Sequence, residues 1–236
     1  MKLRLLKIGS FLLAISLLSM PVKAADKSIA VGVIGNIADF DTTGSETEGW
    51  EVGTAAGGSE TNSTSISKSV EFASFFGEVE VRSDHFGLAW GAEIIPGDHS
   101  IGAKTRTDTA ASSGEGQQVT TTATGKAQVS NMLSTYIEPT FYINEALGLY
   151  VKAGVTRVTV ETLESLPEST YGNEGVFGTL IGAGIKGTHS SGLYIKLEHA
   201  ETDYGTLTFQ SDTGNQNTIT ASPEQTATRL AIGYKF

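Results

Sequence analysis

The chain has 236 residues, 28 glycines, no cysteine and a formal net charge of −10. The lack of cysteine excludes a fold held by disulfides, and the acidic balance disfavours nucleic-acid binding, because phosphates would be repelled. We therefore expect no nucleic-acid partner, and one domain that is stabilised by a core or by lipid.

The first 24 residues have the pattern of an export signal. An apolar run over residues 8–18 follows a basic start and leads to a small-x-small site that ends at Ala24. The basic residues are Lys2, Arg4 and Lys7. The run is shorter than the ~20 residues that span a bilayer, so we predict a signal peptide over 1–24, cleaved after Ala24, and a single domain over 25–236. That domain carries 12 basic and 26 acidic residues, a net charge of −14.

Short alternating apolar runs follow, with no stripe of helical period, which is typical of β-strands. The runs predict eight strands, over residues 28–38, 69–82, 86–95, 127–143, 147–160, 174–187, 192–202 and 225–236. Long connectors (39–68, 96–126, 161–173 and 203–224) alternate with short ones (83–85, 144–146 and 188–191). A soluble sandwich or a lipocalin-like barrel does not require long and short connectors to alternate. Transmembrane barrels do have this alternation, with short turns on one side of the membrane and longer loops on the other. We predict an all-β fold: an eight-stranded antiparallel up-and-down transmembrane β-barrel with four long external loops and three short periplasmic turns.

The predicted strands have one apolar face and one charged face. The charged face carries Glu78, Glu80, Arg82, Glu93, Glu138, Lys152, Lys186, Lys196, Glu198, Arg229 and Lys235. In a dry core these eleven charges would each cost several kcal/mol. Because five acids stand against six bases, we predict a narrow lumen filled by ion pairs, with interspersed glycines leaving room for long side chains.

Three further features of the strands give local predictions. Phe86, Phe141, Tyr234 and Phe236 lie near the predicted periplasmic ends, where an aromatic girdle is expected. Pro139 cannot donate to a strand ladder, so a bulge or local break is expected there. Residues 101–109 and 117–127 alternate enough to continue their strands as a polar hairpin above the lipid.

No constellation of catalytic or metal-binding residues emerges. His85, His99, His189 and His199 lack metal-ligand spacing, and Asp39-Phe-Asp41 with Gly44 lacks the later ligands of a calcium loop. Glu198-His199 has no neighbouring nucleophile of the kind that lipid-modifying barrels use. We therefore expect no enzymatic activity, no metal site and no cofactor.

The chain ends in a strand that alternates strictly. Leu230, Ile232, Tyr234 and Phe236 share its apolar face. A terminal strand closing on Phe, behind an export signal, resembles the C-terminal assembly signal of outer-membrane barrels. Together with the eight strands and long polar loops, it makes the chain similar to the OmpA-type and opacity-like surface-antigen barrels of Gram-negative bacteria.

The resemblance implies location in the outer membrane, with the outer-membrane lipid, the barrel assembly machinery and periplasmic chaperones as partners. Wall anchoring is not expected, because no peptidoglycan-binding segment follows the barrel. Two functions remain open: a structural or surface-interaction barrel with acidic loops and an unknown extracellular ligand, or a porin-like protein that is a narrow pore or a small-solute transport barrel.

Overall fold

A computed structural model describes residues 26–52, 55–111, 118–164, 172–210 and 218–236. The predicted signal peptide and its cleavage site lie outside these residues. The strands are β1 Asp26–Val52, β2 Ala55–Ser83, β3 Phe86–Ile95, β4 His99–Ala111, β5 Gln118–Tyr142, β6 Leu147–Glu164, β7 Asn173–Thr188, β8 Leu193–Tyr204, β9 Leu207–Gln210 and β10 Thr218–Lys235. Among the described residues, no helix is long and apolar enough to cross a membrane.

Eight of these strands close into a ring. Neighbours pair antiparallel in the order β1-β2-β3-β5-β6-β7-β8-β10, and β10 pairs back to β1. Following paired residues around the ring from Val79 leads back to β2 at Ser69, a stagger of ten residues. Such a stagger requires strands tilted by roughly 35–45° to the barrel axis. The predicted eight-stranded antiparallel barrel is confirmed.

The barrel wall continues further above the membrane than predicted. Residues 39–68 were expected to form a loop, but β1 and β2 stay paired as far as Val52 and Ala55. The polar hairpin expected above the lipid is present as β4 and the first part of β5. The short strand β9 adds to the upper part of β10. Ser/Thr-rich alternation therefore forms strands here, because Thr and other β-branched residues suit extended backbone.

β5 has the local break expected at Pro139 and a bulge further along the strand. On the β6 side, pairing passes from Ile137–Ala153 to Thr140–Tyr150 and skips Glu138 and Pro139, with no change of register across the gap. The bulge lies between Ser130 and Leu133, where Asn131 has a φ of 51°. Asn tolerates this left-handed conformation better than most residues, which explains why the extra residue is accommodated there.

The outer wall of the ring is apolar. Alternate residues on every ring strand are exposed and hydrophobic, among them Trp90 at 59% and Phe177 at 65% exposure. At the rim that holds Asp26 and Phe236, Phe86 packs edge-on against Phe141, and Tyr234 against Phe236, with ring centroids 5.5 and 4.8 Å apart. The predicted girdle residues thus lie at one rim of an apolar belt.

The interior has two zones. Charged side chains fill the lower half, near Asp26 and Phe236, and a hydrophobic cluster fills the upper half. The cluster consists of Ala38, Phe40, Phe72, Ile95, Ile101, Val129, Met132, Val158, Val160, Val176, Tyr204, Leu207, Phe209 and Ala227. We name this cluster the apolar plug.

Candidate functional site: the closed lumen

Ten of the eleven predicted charged residues form one connected network inside the barrel. Its members are Glu78, Glu80, Glu93, Glu138, Glu198, Lys152, Lys186, Lys196, Arg229 and Lys235. We name it the lumen network. It holds five acids and five bases, so its formal charge is zero when all are ionised. Strict alternation along each strand places these side chains inward, since every second residue faces the lumen.

The network runs along the barrel axis. At the end next to the apolar plug, Arg229 forms an ion pair with Glu93 and lies 2.7 Å from Glu198. Glu198 in turn lies 2.5 Å from Lys152. At the rim near Phe236, Glu80 lies 3.1 Å from Lys186 and also forms an ion pair with Lys235. Acids and bases therefore alternate along the lumen, with each charge next to one of opposite sign.

Glu138 is the centre of the network. Its carboxylate lies 2.5 Å from the Lys196 ammonium, 3.1 Å from Lys186 and 3.8 Å from Lys152, and its side chain is completely buried. Lys196 also reaches Glu78 at 3.1 Å. Because buried charges are tolerated only when paired and hydrogen-bonded, Glu138 holds three strands of the wall to one point.

Buried tyrosines complete the network. Tyr136 and Tyr194 donate to Glu78 at 3.1 and 2.7 Å, and Tyr150 donates to Glu198 at 2.9 Å. The Lys152 ammonium lies 4.2 Å from the centroid of the Tyr136 ring, within the range of a cation–π contact. These residues were absent from the sequence prediction, although Tyr136, Tyr150 and Tyr194 each stand two residues before a predicted charge. That spacing was the signal that could have found them.

Two glycines make room for these rings. A Cβ on Gly91 would lie 2.5 Å from the Tyr136 ring, and one on Gly184 would lie 2.7 Å from the Tyr150 hydroxyl. The lumen glycines therefore accommodate tyrosine rings at least as much as long charged side chains.

Arg82 lies apart from the lumen network. Its guanidinium stacks 3.6 Å above the Tyr142 ring and donates to the carbonyl oxygens of Glu145 at 2.8 Å and Asn144 at 3.3 Å. Arg82 lies at the end of β2, where the backbone carbonyls of the neighbouring β5–β6 turn are within hydrogen-bonding distance of its guanidinium. Arg82 thus joins two neighbouring turns and does not pair with a network carboxylate.

A polar layer separates the lumen network from the apolar plug. Arg229 donates to the Asn36 side chain at 2.8 Å, and Ser74 donates to Glu93 at 2.6 Å. Next to them lies a cavity of about 20 Å³, which is about the room that one water molecule needs. Above this layer, Leu207 and Phe209 are buried in the plug. Both halves of the interior are therefore filled.

The other candidate residues lie outside the lumen. Asp39 and Asp41 are exposed on a strand, with Phe40 buried between them, and not on a metal-binding loop. His199 is exposed and its Nδ1 lies 3.5 Å from the Thr228 hydroxyl. Within the described residues, no group of three His, Cys, Asp or Glu is placed to hold a metal ion.

The wall and the lumen together identify a membrane-spanning β-barrel. An exposed apolar belt around a charged interior is the inverse of a soluble barrel, and a closed ring leaves no unpaired strand edge in lipid. Barrels of this kind lie in the bacterial outer membrane, and that is where this protein is located.

Comparison with known proteins gives structural resemblances only. No family model and no curated protein matches the chain. Ail, the attachment invasion locus protein of Yersinia pestis, is 12% identical, with 86% of this chain and 99% of that chain covered and a TM-score of 0.39. The outer membrane protease OmpT from Escherichia coli is 9% identical, with 92% and 99% covered and a TM-score of 0.45. Neisserial surface protein A is 9% identical, with 82% and 96% covered and a TM-score of 0.29.

Proposed function

We propose that this protein is a non-catalytic, non-conducting outer-membrane scaffold that presents a β-structured surface to the outside of the cell. The observation that carries the proposal is the filled interior. The neutral lumen network occupies the lower half of the lumen, near Phe236. The apolar plug occupies the upper half. A pore needs a continuous wet path, which this packing opposes.

The outer part of the barrel supports a role at the surface. The β1–β2 hairpin extends the wall well beyond the apolar belt, and binding residues are commonly carried on segments that a rigid scaffold holds in place. The extension keeps strand pairing to its end at Val52 and Ala55. A rigid projection of this kind offers a preorganised surface to a partner, which lowers the entropy cost of binding.

Surface labelling in intact cells tests this topology. The native chain has no cysteine, so a single thiol can be placed at will. With Ser65→Cys we expect rapid reaction with a membrane-impermeant maleimide. With the matched variant His85→Cys, in the turn between β2 and β3, we expect reaction only after the outer membrane is permeabilised. Equal labelling of both variants in intact cells would contradict the proposed orientation.

A further inference from the structure

Pairing register arranges the outward side chains above the belt into rows that cross adjacent strands. The upper three rows are Ser65, Thr43, Ser222 and Thr206; Ser63, Ser45, Thr220 and Thr208; and Thr61, Thr47, Thr218 and Gln210. We name these twelve residues the hydroxyl face. Eleven carry a hydroxyl group and none is ionisable, in a chain with 26 acidic residues.

Hydrogen bonds between neighbouring strands or segments hold six of these hydroxyl groups in place. Ser45 and Thr220 lie 2.8 Å apart, and Thr47 and Thr61 lie 3.0 Å apart. A shallow depression of about 570 Å³, open to solvent, lies over the middle of the face. An exposed surface normally carries about a quarter to a third charged residues, so a neutral, ordered grid of donors and acceptors indicates a partner that is itself neutral and rich in hydroxyl groups.

The hydroxyl face lies above the lipid-facing wall. On β2, β1 and β10, which the two zones share, and on β8, which precedes β9 in the chain, Phe75, Val33, Ile232 and Ile195 form one row of the apolar belt. Thr43 lies six residues beyond the belt residue Ile37, or roughly 15 Å above the belt after allowing for tilt. At that height the wall faces the sugars of the glycolipid in the outer leaflet, not its acyl chains.

Two rows of outward residues lie between these two zones, and the upper row opposes direct contact with phosphate groups. Asp41, Glu224 and Asp203 pair across adjacent strands and face outward, so their charges oppose an anionic ligand. We propose that the hydroxyl face binds the neutral sugars of the core oligosaccharide of the surrounding lipopolysaccharide. The inference needs the orientation given above but not the absence of conductance.

Binding of fluorescently labelled lipopolysaccharide to the folded full chain in detergent micelles tests the inference. We expect wild type to bind lipopolysaccharide with a complete core about tenfold more tightly than the same lipid without core sugars, as a few net hydrogen bonds would give. The triple variant Thr47→Val, Thr61→Val, Thr220→Val keeps the β-branched shape and should lose this preference. Thr105→Val with Thr124→Val removes a comparable pair, 3.1 Å apart, in the β4–β5 hairpin and should keep it.

Heat-modifiable gel migration is measured on every variant to show that the barrel is folded. An unchanged preference in the triple variant, or no preference in wild type, would overturn the inference while leaving the scaffold intact. Equally strong binding of free core oligosaccharide to wild type, lost in the triple variant, would assign the face to a soluble glycan and would overturn the membrane-lipid assignment.

Discussion

Glu138 accepts contacts from three ammonium groups in a space with no access to solvent. Replacing Glu138 by Gln would keep the shape of the side chain and remove one negative charge. The buried ammonium groups around it, those of Lys152, Lys186 and Lys196, would then lose one of the carboxylates that neutralise them. Leaving a buried charge unpaired costs about 3–5 kcal/mol. We expect Glu138→Gln to lower the free energy of unfolding by that amount, measured by urea titration in lipid vesicles.

The control for this variant is Glu71→Gln, on an exposed outward position of β2. It should change the free energy of unfolding by no more than about 0.5 kcal/mol. Equal stability of the two variants would mean that the Glu138 carboxylate is not needed to balance the lysines.

Tyr136 stabilises the network through its hydroxyl and its ring. Tyr136→Phe removes the 3.1 Å bond to Glu78 but keeps the ring next to Lys152. We expect a loss of about 1.5–3 kcal/mol, as is typical for a hydrogen bond to a charged group. Tyr234→Phe, on the outer wall, should have a smaller effect in the same urea titration, and the reverse order would contradict the assigned role.

At the scale of single elements, the last strand closes the ring. The Phe236 amide donates to Ile29 at 2.8 Å, and the Phe236 ring is 73% exposed on the girdle. We predict that deleting Phe236 lowers the amount of protein in the outer membrane, measured by immunoblot of membrane fractions. Phe86→Ala, which alters another girdle ring, is the control. Normal levels after deletion would remove the terminal assembly signal from the account.

Strand β9 contributes two buried side chains to the apolar plug. Phe209→Ala would leave a cavity among the plug residues, and such truncations cost about 3–5 kcal/mol. We expect this loss in thermal unfolding, together with faster amide exchange at the top of the barrel. Thr208→Ala, on the outward face of the same strand, should have little effect on either measurement.

Sequence alternation predicted the barrel and the charged lumen positions, because a period of two assigns each residue to one wall face. The same rule also assigns Tyr136, Tyr150 and Tyr194 to the lumen face, but alternation alone does not give the hydrogen-bond partners of a side chain, so their role in the network was missed. It also treated residues 39–68 as a loop, because Ser and Thr are common in turns as well as strands. The apolar plug was missed because inward apolar residues such as Phe40 and Ile101 contradict the expectation of a polar lumen.

For the whole molecule, stability and function depend on the same packing. The lumen network fixes the lower half of the wall, and the apolar plug fixes the upper half. In the proposed function, a closed interior leaves the outer surface as the part of the protein that meets partners. The chemistry of that surface changes with height. An acidic row lies above the apolar belt, and the hydroxyl face lies above the row, at the level of the leaflet's sugars in the proposed orientation.

Single-channel recording in planar lipid bilayers tests the closed lumen most directly. Purified wild-type barrel, shown to be folded by heat-modifiable migration, is inserted and held at a fixed voltage. Because Glu138, Arg229 and their partners fill the lower lumen and Phe209 lies in the plug above them, we predict no steady current above the leak of the bare bilayer. A steady unitary conductance of wild type would contradict the account and identify the protein as a narrow pore.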